Sequence, residues 1–281
     1  MTYKLNGELL ELEISSIGAE LISVKKQGKE RLWQNENGGW SGHAPVLFPK
    51  CGDMQVIFDG QISAMAGHGV ARKHEFTLVE KTENKITLKM TSDEGTKAVY
   101  PYDFALFVSY EINGAKLKID YKMENLSSVP AYAYFGSHES YALDGEIDEY
   151  EIVFPEEESF DSLIHNGDIH ALTGKVESFG KGKRLALPKA FMEDNTLIFA
   201  NVNSRFVELW KIGVERIATL WFDGFEHLLF WHPAGSRMVC MEPWQNLPDF
   251  EQDKGKEFSK KAGVRKIEPK TSLAVTHTIE Y

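Results

Sequence analysis

The chain has only two cysteines, Cys51 and Cys240, in 281 residues. That number excludes a disulfide framework, and neither cysteine has a second ligand at metal-binding spacing in the sequence. No apolar run approaches the roughly 18 residues that would suggest a membrane span. Blocks of lysine and arginine are missing too, and the formal net charge is -11 at pH 7. Such a surface repels a phosphate backbone, so nucleic acid is excluded as a partner. The opening segment, "MTYKLNGELLELEI", has no basic stretch leading into a long apolar core, so it does not read as a signal peptide. Linkers, low-complexity tracts and internal repeats are lacking as well. These absences point to a cytoplasmic protein with reduced thiols, organised as one domain over residues 1–281 and bound to neither membrane nor nucleic acid. A further set of absences concerns chemistry. There is no H-E-x-x-H, C-x-x-C, G-x-S-x-G, Walker loop or G-x-G-x-x-G opening a helix. Nucleophilic, metal-dependent and nucleotide-driven reactions therefore lack their usual carriers, and neither a cofactor nor a metal is expected.

What the chain does have is hydrophobic alternation. Hydrophobic residues make up 42% and charged residues 26%, enough for a substantial core. Ala115–Met123 ("AKLKIDYKM") alternates apolar and polar side chains, as do Lys85–Met90 and the C-terminal "SLAVTHTIEY". A period of two is the pattern of a half-buried strand. Further strands are expected at Glu20–Lys25, Phe76–Glu80, Leu197–Ala200, Phe206–Trp210, Ala218–Trp221 and Leu228–Trp231. Asn6-Gly7 and Asn113-Gly114 each separate two such runs, and both residue types tolerate the positive φ of a type I′ hairpin turn. Helical patterns are scarce: one turn within "SDEGTKAVYPYD" and another within "DFEQDKGKEFSKKAG". The acidic, glycine-bearing stretch Glu156–Lys183 reads as loop. The expected fold class is all-β, a large antiparallel domain of two packed sheets.

Acid–base groups are the remaining carriers of chemistry. Among nine histidines, His277 shares a strand face with Leu273, Val275, Ile279 and Tyr281 and reads as a partly buried structural residue. His68 lies between two glycines in "AGHGVARKHEF", where little shields its ring. His138 follows the aromatic run "AYAYF" and a Gly-Ser pair. Glu242 stands between the apolar run ending at Met241 and the pair Pro243-Trp244, a placement that suits either a turn or a base at the mouth of a pocket. Six tryptophans and ten tyrosines suit stacking against a sugar ring.

These segments together resemble the aldose 1-epimerase (galactose mutarotase) family, in particular its LacX-like branch. The resemblance runs in order through nearly the whole chain. "LWQNENGGWSGHAPVLFPKCG" is similar to the branch's Leu-Trp-Gln and Pro-Val-Leu-Phe-Pro blocks, "GHGVARKHEF" to its His-Gly-Phe-Ala-Arg block, and "YAYFGSHESYAL" to its second histidine segment. "NTLIFANVNSRFVEL" and "FWHPAGSRMVCMEPWQNLPD" are similar to its later Leu-Ile-Phe strand and closing Cys-x-Glu-Pro-Trp block. The resemblance implies a β-sandwich of the galactose mutarotase type with a sugar groove across one sheet. It implies Glu242 as catalytic base, His138 as catalytic acid and His68 as a sugar contact, with Trp244 fixing and desolvating Glu242.

The chain departs from the branch pattern at three places. Asp53 stands where a sugar-contacting arginine is usual, which leaves Lys50 or Arg72 to supply the cation. Glu139 replaces the proline after the second histidine. The substrate-gripping aspartate falls at Asp194 or Asn195. The resemblance implies an isomerase that interconverts the anomers of a free aldohexose, working as a monomer or homodimer. The alternatives are a mutarotase for phosphorylated hexoses, with Lys50, Arg72 and Lys73 as candidate cations, and a sugar-binding protein without turnover.

Overall fold

The computed structural model describes every residue except Asn37. Among the described residues, antiparallel pairing builds one nine-stranded sheet and a smaller four-stranded sheet packed against it. The large sheet runs Ala171–Ala186, Tyr150–Asn166, Phe206–Lys211, Glu215–Trp221, Ser272–Glu280, Lys116–Asn125, Phe104–Asn113, Lys85–Thr91 and Thr77–Lys81, in spatial order. The four-stranded sheet runs Glu139–Ala142, Met238–Trp244, His227–Trp231 and Leu197–Phe199. An N-terminal four-stranded sheet, from Thr2 to Glu30, adds Leu5, Leu10 and Leu12 to the same core. The fold is mostly β, as the alternation requires. Among the described residues, no helix is long and apolar enough to cross a membrane.

The strand Lys116–Asn125 carries out the alternation in detail. Leu117, Ile119, Tyr121 and Met123 are buried, while Lys116, Lys118 and Lys122 on the other face are exposed. Each large apolar side chain so buried stabilises the fold by about 1.5–3 kcal/mol. The expected strands all form, within a residue or a few at their ends.

Four local expectations need correction. The two-residue turn expected at Asn6-Gly7 does not form: Asn6 pairs with Glu11, so the connection is longer. Gly7 is there for packing, because a Cβ would run into the Ile112 side chain. The second hairpin turn is shifted by one residue, to Gly114-Ala115 between the paired Asn113 and Lys116. Only Gly114 has a positive φ, +61°, as the first central position of a II′ turn demands. The stretch Glu156–Lys183 is not loop but most of a long hairpin, Tyr150–Asn166 paired with Ala171–Ala186. The strand Ala171–Ala186 is exposed along most of its length, and in its partner the inward positions Glu158, Phe160 and Ser162 are mostly polar, so the alternation in burial has no hydrophobic counterpart in the sequence. The first expected helical turn forms at Glu94–Lys97, capped by Asp93, whereas the second segment yields only short 3₁₀ turns.

His277 faces the core as expected, but it is fully buried and it has a partner. Its Nε2 lies 2.8 Å from Glu139 Oε1 and 3.1 Å from Ser137 Oγ, and Ser137 also hydrogen-bonds Glu139. This explains the departure from proline at position 139: the carboxylate is one half of a buried pair that spans the two sheets. Burial alone would raise the Glu139 pKa; the His277 charge and the hydrogen bonds from His277 and Ser137 outweigh it and hold the pKa below the ordinary value. A carboxylate with a lowered folded-state pKa adds stability above the ordinary carboxylate range and loses it as pH falls. Breaking such a pair leaves an uncompensated buried group, at a cost of about 3–5 kcal/mol. Glu139→Ala is therefore expected to lower urea-denaturation stability by that amount at neutral pH, with a smaller difference in acid. A loss below about 1 kcal/mol at neutral pH would contradict the assignment.

Candidate active site

One cross-strand row of the four-stranded sheet makes the floor of the principal cavity. Glu139 pairs with Met241, so extending that antiparallel register by one residue sets His138 beside Glu242. On the other side Glu242 pairs with Leu229, and Leu229 with Ile198. His138, Glu242, Leu229 and Ile198 all line a cavity of about 270 Å³. The alternate residues Met241, Phe230 and Val239 point through the sheet into the main core. Two residues along the strand, Cys240 lies opposite Trp231, and Trp244 lies opposite His227. Strand periodicity thus gives the sheet one hydrophobic face and one face of polar and aromatic groups.

His138 Nε2 lies 3.4 Å from Glu242 Oε2, and both side chains are nearly sealed from solvent, 9% and 3% exposed. Glu242 sits on the cavity floor within the strand Met238–Trp244, deeper than the mouth position expected from sequence. Trp40 stacks on the His138 ring at 4.8 Å and Trp231 meets it edge-on at 5.8 Å. His138 Nδ1 is buried without a hydrogen-bond partner among the described residues. Burial pushes the Glu242 pKa well up, with the Glu139 charge behind the sheet adding to the effect. The Trp244 indole N–H and Arg72 oppose that shift, although the indole is short of hydrogen-bonding geometry. Burial, then the Arg72 charge, pushes His138 down to about 4. Both shifts favour the neutral forms, which puts the pair's proton on the carboxyl side.

His68 enters from a loop clamped to the Phe48–Gly52 segment. Its backbone N–H donates to Gly52 O, and the Gly52 N–H donates to its Nδ1 at 3.1 Å. An accepting Nδ1 fixes the neutral tautomer with the proton on Nε2. His68 itself has φ +64° and the following Gly69 has φ +85°. A Cβ on Gly69 would collide with the Phe48 carbonyl, so the second glycine permits the clamp. Arg72 lines the cavity from a 3₁₀ turn, Ala71–Lys73, and makes no hydrogen bond or ion pair among the described residues. Trp244 completes the group.

The other expected site residues are placed differently. Lys50 is fully buried beneath the loop, with its ammonium donating to Gly52 O at 3.1 Å, and it is not part of the cavity wall. Its pKa is lowered to about 8 by burial, against the pull of Asp53. The proposal that Lys50 fills the space of the missing arginine is thus corrected: the stem turns back on its own loop. Asp53 does line the cavity, but its carboxylate lies 2.5 Å from His170 Nδ1, and its carbonyl takes a 3.2 Å hydrogen bond from His165 Nε2. Asp194 and Asn195 line a neighbouring hollow of about 230 Å³ that shares His165, Thr196 and Trp231 with the main cavity. Asn195 is partly occupied in closing the short helix Lys189–Met192, through a 3.3 Å hydrogen bond to Phe191 O. Sequence reasoning missed His165, Thr196, Trp40 and Trp231 as cavity residues. His165 lies in the stretch read as loop and had no pattern to find it; the tryptophans had their positions beside the quoted blocks.

The arrangement is an aromatic-walled cavity whose floor holds a touching acid–base pair, with a neutral imidazole and a cation at its rim. Residues 1–265 match the family described as Aldose 1-epimerase. The chain is 30% identical over 289 aligned residues to the chromosomal Protein LacX of Lactococcus lactis subsp. lactis, covering 96% of this chain and 95% of that protein. Among solved structures, a galactose mutarotase related enzyme from Lactobacillus acidophilus superposes with a TM-score of 0.92 at 23% identity, covering 100% of this chain and 97% of that one. A galactose mutarotase-like protein from Lactobacillus casei gives 0.90 at 22% identity, over 100% and 99% of the two chains. A putative aldose 1-epimerase from Escherichia coli K12 gives 0.77 at 12%, over 100% and 98%. The fold is therefore galactose mutarotase-like.

A raised carboxyl pKa has a stability signature. The folded chain keeps a proton on Glu242 that the unfolded chain releases above the ordinary carboxylate range, so this group's contribution falls as pH rises. Glu242→Gln keeps the shape without the titration. The variant is expected to gain urea stability relative to the parent between about pH 6 and about pH 8. A variant that loses stability relative to the parent over that interval would show that the carboxyl is not held protonated.

Proposed function

Because the chain belongs to the aldose 1-epimerase family, we propose that it is an aldose mutarotase that interconverts the α and β anomers of a free aldohexose. The observation that carries the reading is the His138–Glu242 contact on the floor of a cavity suited to one sugar ring. Anomer exchange removes the proton from the C1 hydroxyl and delivers one to the ring oxygen. The ring opens, the C1–C2 bond rotates, and the same transfers in reverse close it on the other face. Both oxygens are bonded to one carbon, so the groups that serve them must lie close together, as these two do. A pair holding a single proton supplies one base and one acid at every stage, and each positioned transfer contributes roughly 10²–10⁴-fold.

The family pattern assigns Glu242 as base and His138 as acid. The pocket's electrostatics favour the proton on Glu242 when no sugar is present. These assignments are compatible. Sugar hydroxyls that donate to the carboxylate would draw the proton across to His138, and a shared proton titrates as a property of the pair. Arg72 lowers both members of the pair, so the transfer rests on the sugar hydroxyls and not on this charge. His68 would present its Nε2–H to a sugar oxygen, and Trp40, Trp231 and Trp244 would cover the ring's apolar faces. Free, buried thiols fit a reducing cytoplasm, and the chain is proposed to work as one β domain. Against a phosphorylated substrate stands the cavity's charge: among the described residues, Arg72 is the one lysine or arginine that lines it.

The deciding experiment is polarimetry of α-glucose and α-galactose with the purified protein. Glu242→Gln and His138→Ala are each expected to lower kcat by at least about 10²-fold. Arg72→Ala should raise KM by roughly tenfold or more, the loss of one charged hydrogen bond of about 1.5–3 kcal/mol. Lys50→Ala should leave KM unchanged. Wild-type turnover in either of the first two variants would remove the mechanism.

The pH profile offers a separate check. Activity requires one proton on the pair, and a second goes on only as the pH approaches the His138 value of about 4. The acid limb of kcat/KM is therefore expected near there. A limb near the ordinary histidine value would mean that His138 is not desolvated as described.

A further inference from the structure

Cys240 has no second cysteine or histidine at metal-binding spacing along the chain, yet the sheet sets a histidine and a carboxyl beside it. His138, Cys240 and Glu242 each offer one ligand atom, all within 4.8 Å of one another, and all three residues are buried. Cys240 and Glu242 are two apart on one strand and so share a face; His138 joins them across the extended register. The His138 Nε2 to Glu242 Oε2 distance is 3.4 Å. A tetrahedral zinc with bonds near 2.0–2.1 Å to imidazole nitrogen and carboxylate oxygen needs an edge of about 3.3 Å. That edge already exists. Closing the third side needs a movement of roughly 1 Å by a small thiol, given a Zn–S bond near 2.3 Å. A second observation points the same way: the other His138 nitrogen, Nδ1, is buried with no partner among the described residues, so no hydrogen bond from them locks the ring against a small reorientation.

We propose that His138, Cys240 and Glu242 form a site for a thiophilic divalent cation of the Zn²⁺, Co²⁺ or Cd²⁺ type, with the fourth position open to the cavity. The ligand chemistry selects for such ions: thiolate and imidazole disfavour Mg²⁺ and Ca²⁺. Binding releases two protons to solvent, one from the Cys240 thiol and one from the Glu242 carboxyl, and the two negative charges left cancel the ion's two positive ones. The filled site is neutral, which suits buried surroundings. The ion occupies the acid and the base together, so the cation is an inhibitor and not a helper. The inhibition rests on the mutarotase reading above; the binding does not.

The test uses untagged, chelator-treated protein titrated with Co²⁺ and followed by absorption. One equivalent should give a thiolate-to-cobalt charge-transfer band together with the intense visible bands of tetrahedral Co²⁺. Cys240→Ala, which keeps a small apolar side chain outside the sugar site, should abolish the charge-transfer band, while Cys51→Ala should keep it. Glu242→Gln should weaken Co²⁺ binding by at least about 10-fold, a lower bound taken from losses on removing outer-shell partners of metal ligands. In polarimetry, Zn²⁺ should inhibit the parent in a way that EDTA reverses, and Cys240→Ala should turn over normally yet require at least about 10-fold more Zn²⁺. Melting curves of each variant establish that it is folded. Absence of the charge-transfer band in the parent, or its persistence in folded Cys240→Ala, overturns the site. A protein that shows the band and loses it in Cys240→Ala, but does not turn over aldoses, upholds the site and removes the mutarotase reading instead.

Discussion

The structure depends on keeping charge-bearing groups out of water at the centre of a β-sandwich. Carboxylates and imidazoles rarely go there unpaired, because an uncompensated buried charge costs several kcal/mol. Here the four-stranded sheet carries one such group on each of its faces, one residue apart. Glu139 points into the core and is satisfied by His277 and Ser137. Glu242, on the neighbouring strand, points the other way into the cavity, where among the described residues its polar neighbours are His138 and the Trp244 indole. The difference in partners is the difference in role. A carboxylate with strong donors is held ionised and stabilises; one with weak donors is left protonated and available.

The two faces also act on each other. Glu139 carries a negative charge through the thickness of one sheet from Glu242, and after burial it is the next contribution to the rise in the Glu242 pKa. The usual proline at position 139 carries no charge, so a chain with proline there would lack this push. Arg72 pulls in the opposite sense from the cavity rim, lowering both members of the pair. The proton shared by His138 and Glu242 therefore lies between an anion behind the sheet and a cation in front of it.

Much of this was legible in the sequence because a strand's period of two is short-range and unambiguous. The alternation in "AKLKIDYKM" and "SLAVTHTIEY" marks strands whose inward residues are the ones buried, His277 among them. Residues on the cavity floor, Glu242 and His138, stood out because a polar group beside a buried run is a local anomaly. Lys50 did not betray its position, since a flexible stem can point either way and only the fold of the Cys51-Gly52 bend decides. The long hairpin was missed for a related reason. Ala171–Ala186 is exposed along most of its length and has no hydrophobic face to alternate, and in its partner two of the inward positions are the polar Glu158 and Ser162. The link between Glu139 and His277 spans 138 positions in the chain, and no local pattern encodes it.

The missing arginine is the last consequence of the same constraint. An arginine at position 53 would bring a second permanent cation to a cavity that already holds Arg72, beside an imidazole that burial and Arg72 have driven to about 4. A second cation there would lower His138 further and favour the ionised form of Glu242. Asp53 instead turns its carboxylate to His170 and its carbonyl to His165, on the tip of the long hairpin. These contacts tether the hairpin's end against the cavity, where His165 forms part of the wall. With one cation in place of two, the pair retains its proton on the carboxyl side. Among the described residues Arg72 is then the one lysine or arginine on the cavity wall; His165 commits its Nε2–H to the Asp53 carbonyl, whereas His68, accepting at Nδ1, carries its proton on Nε2.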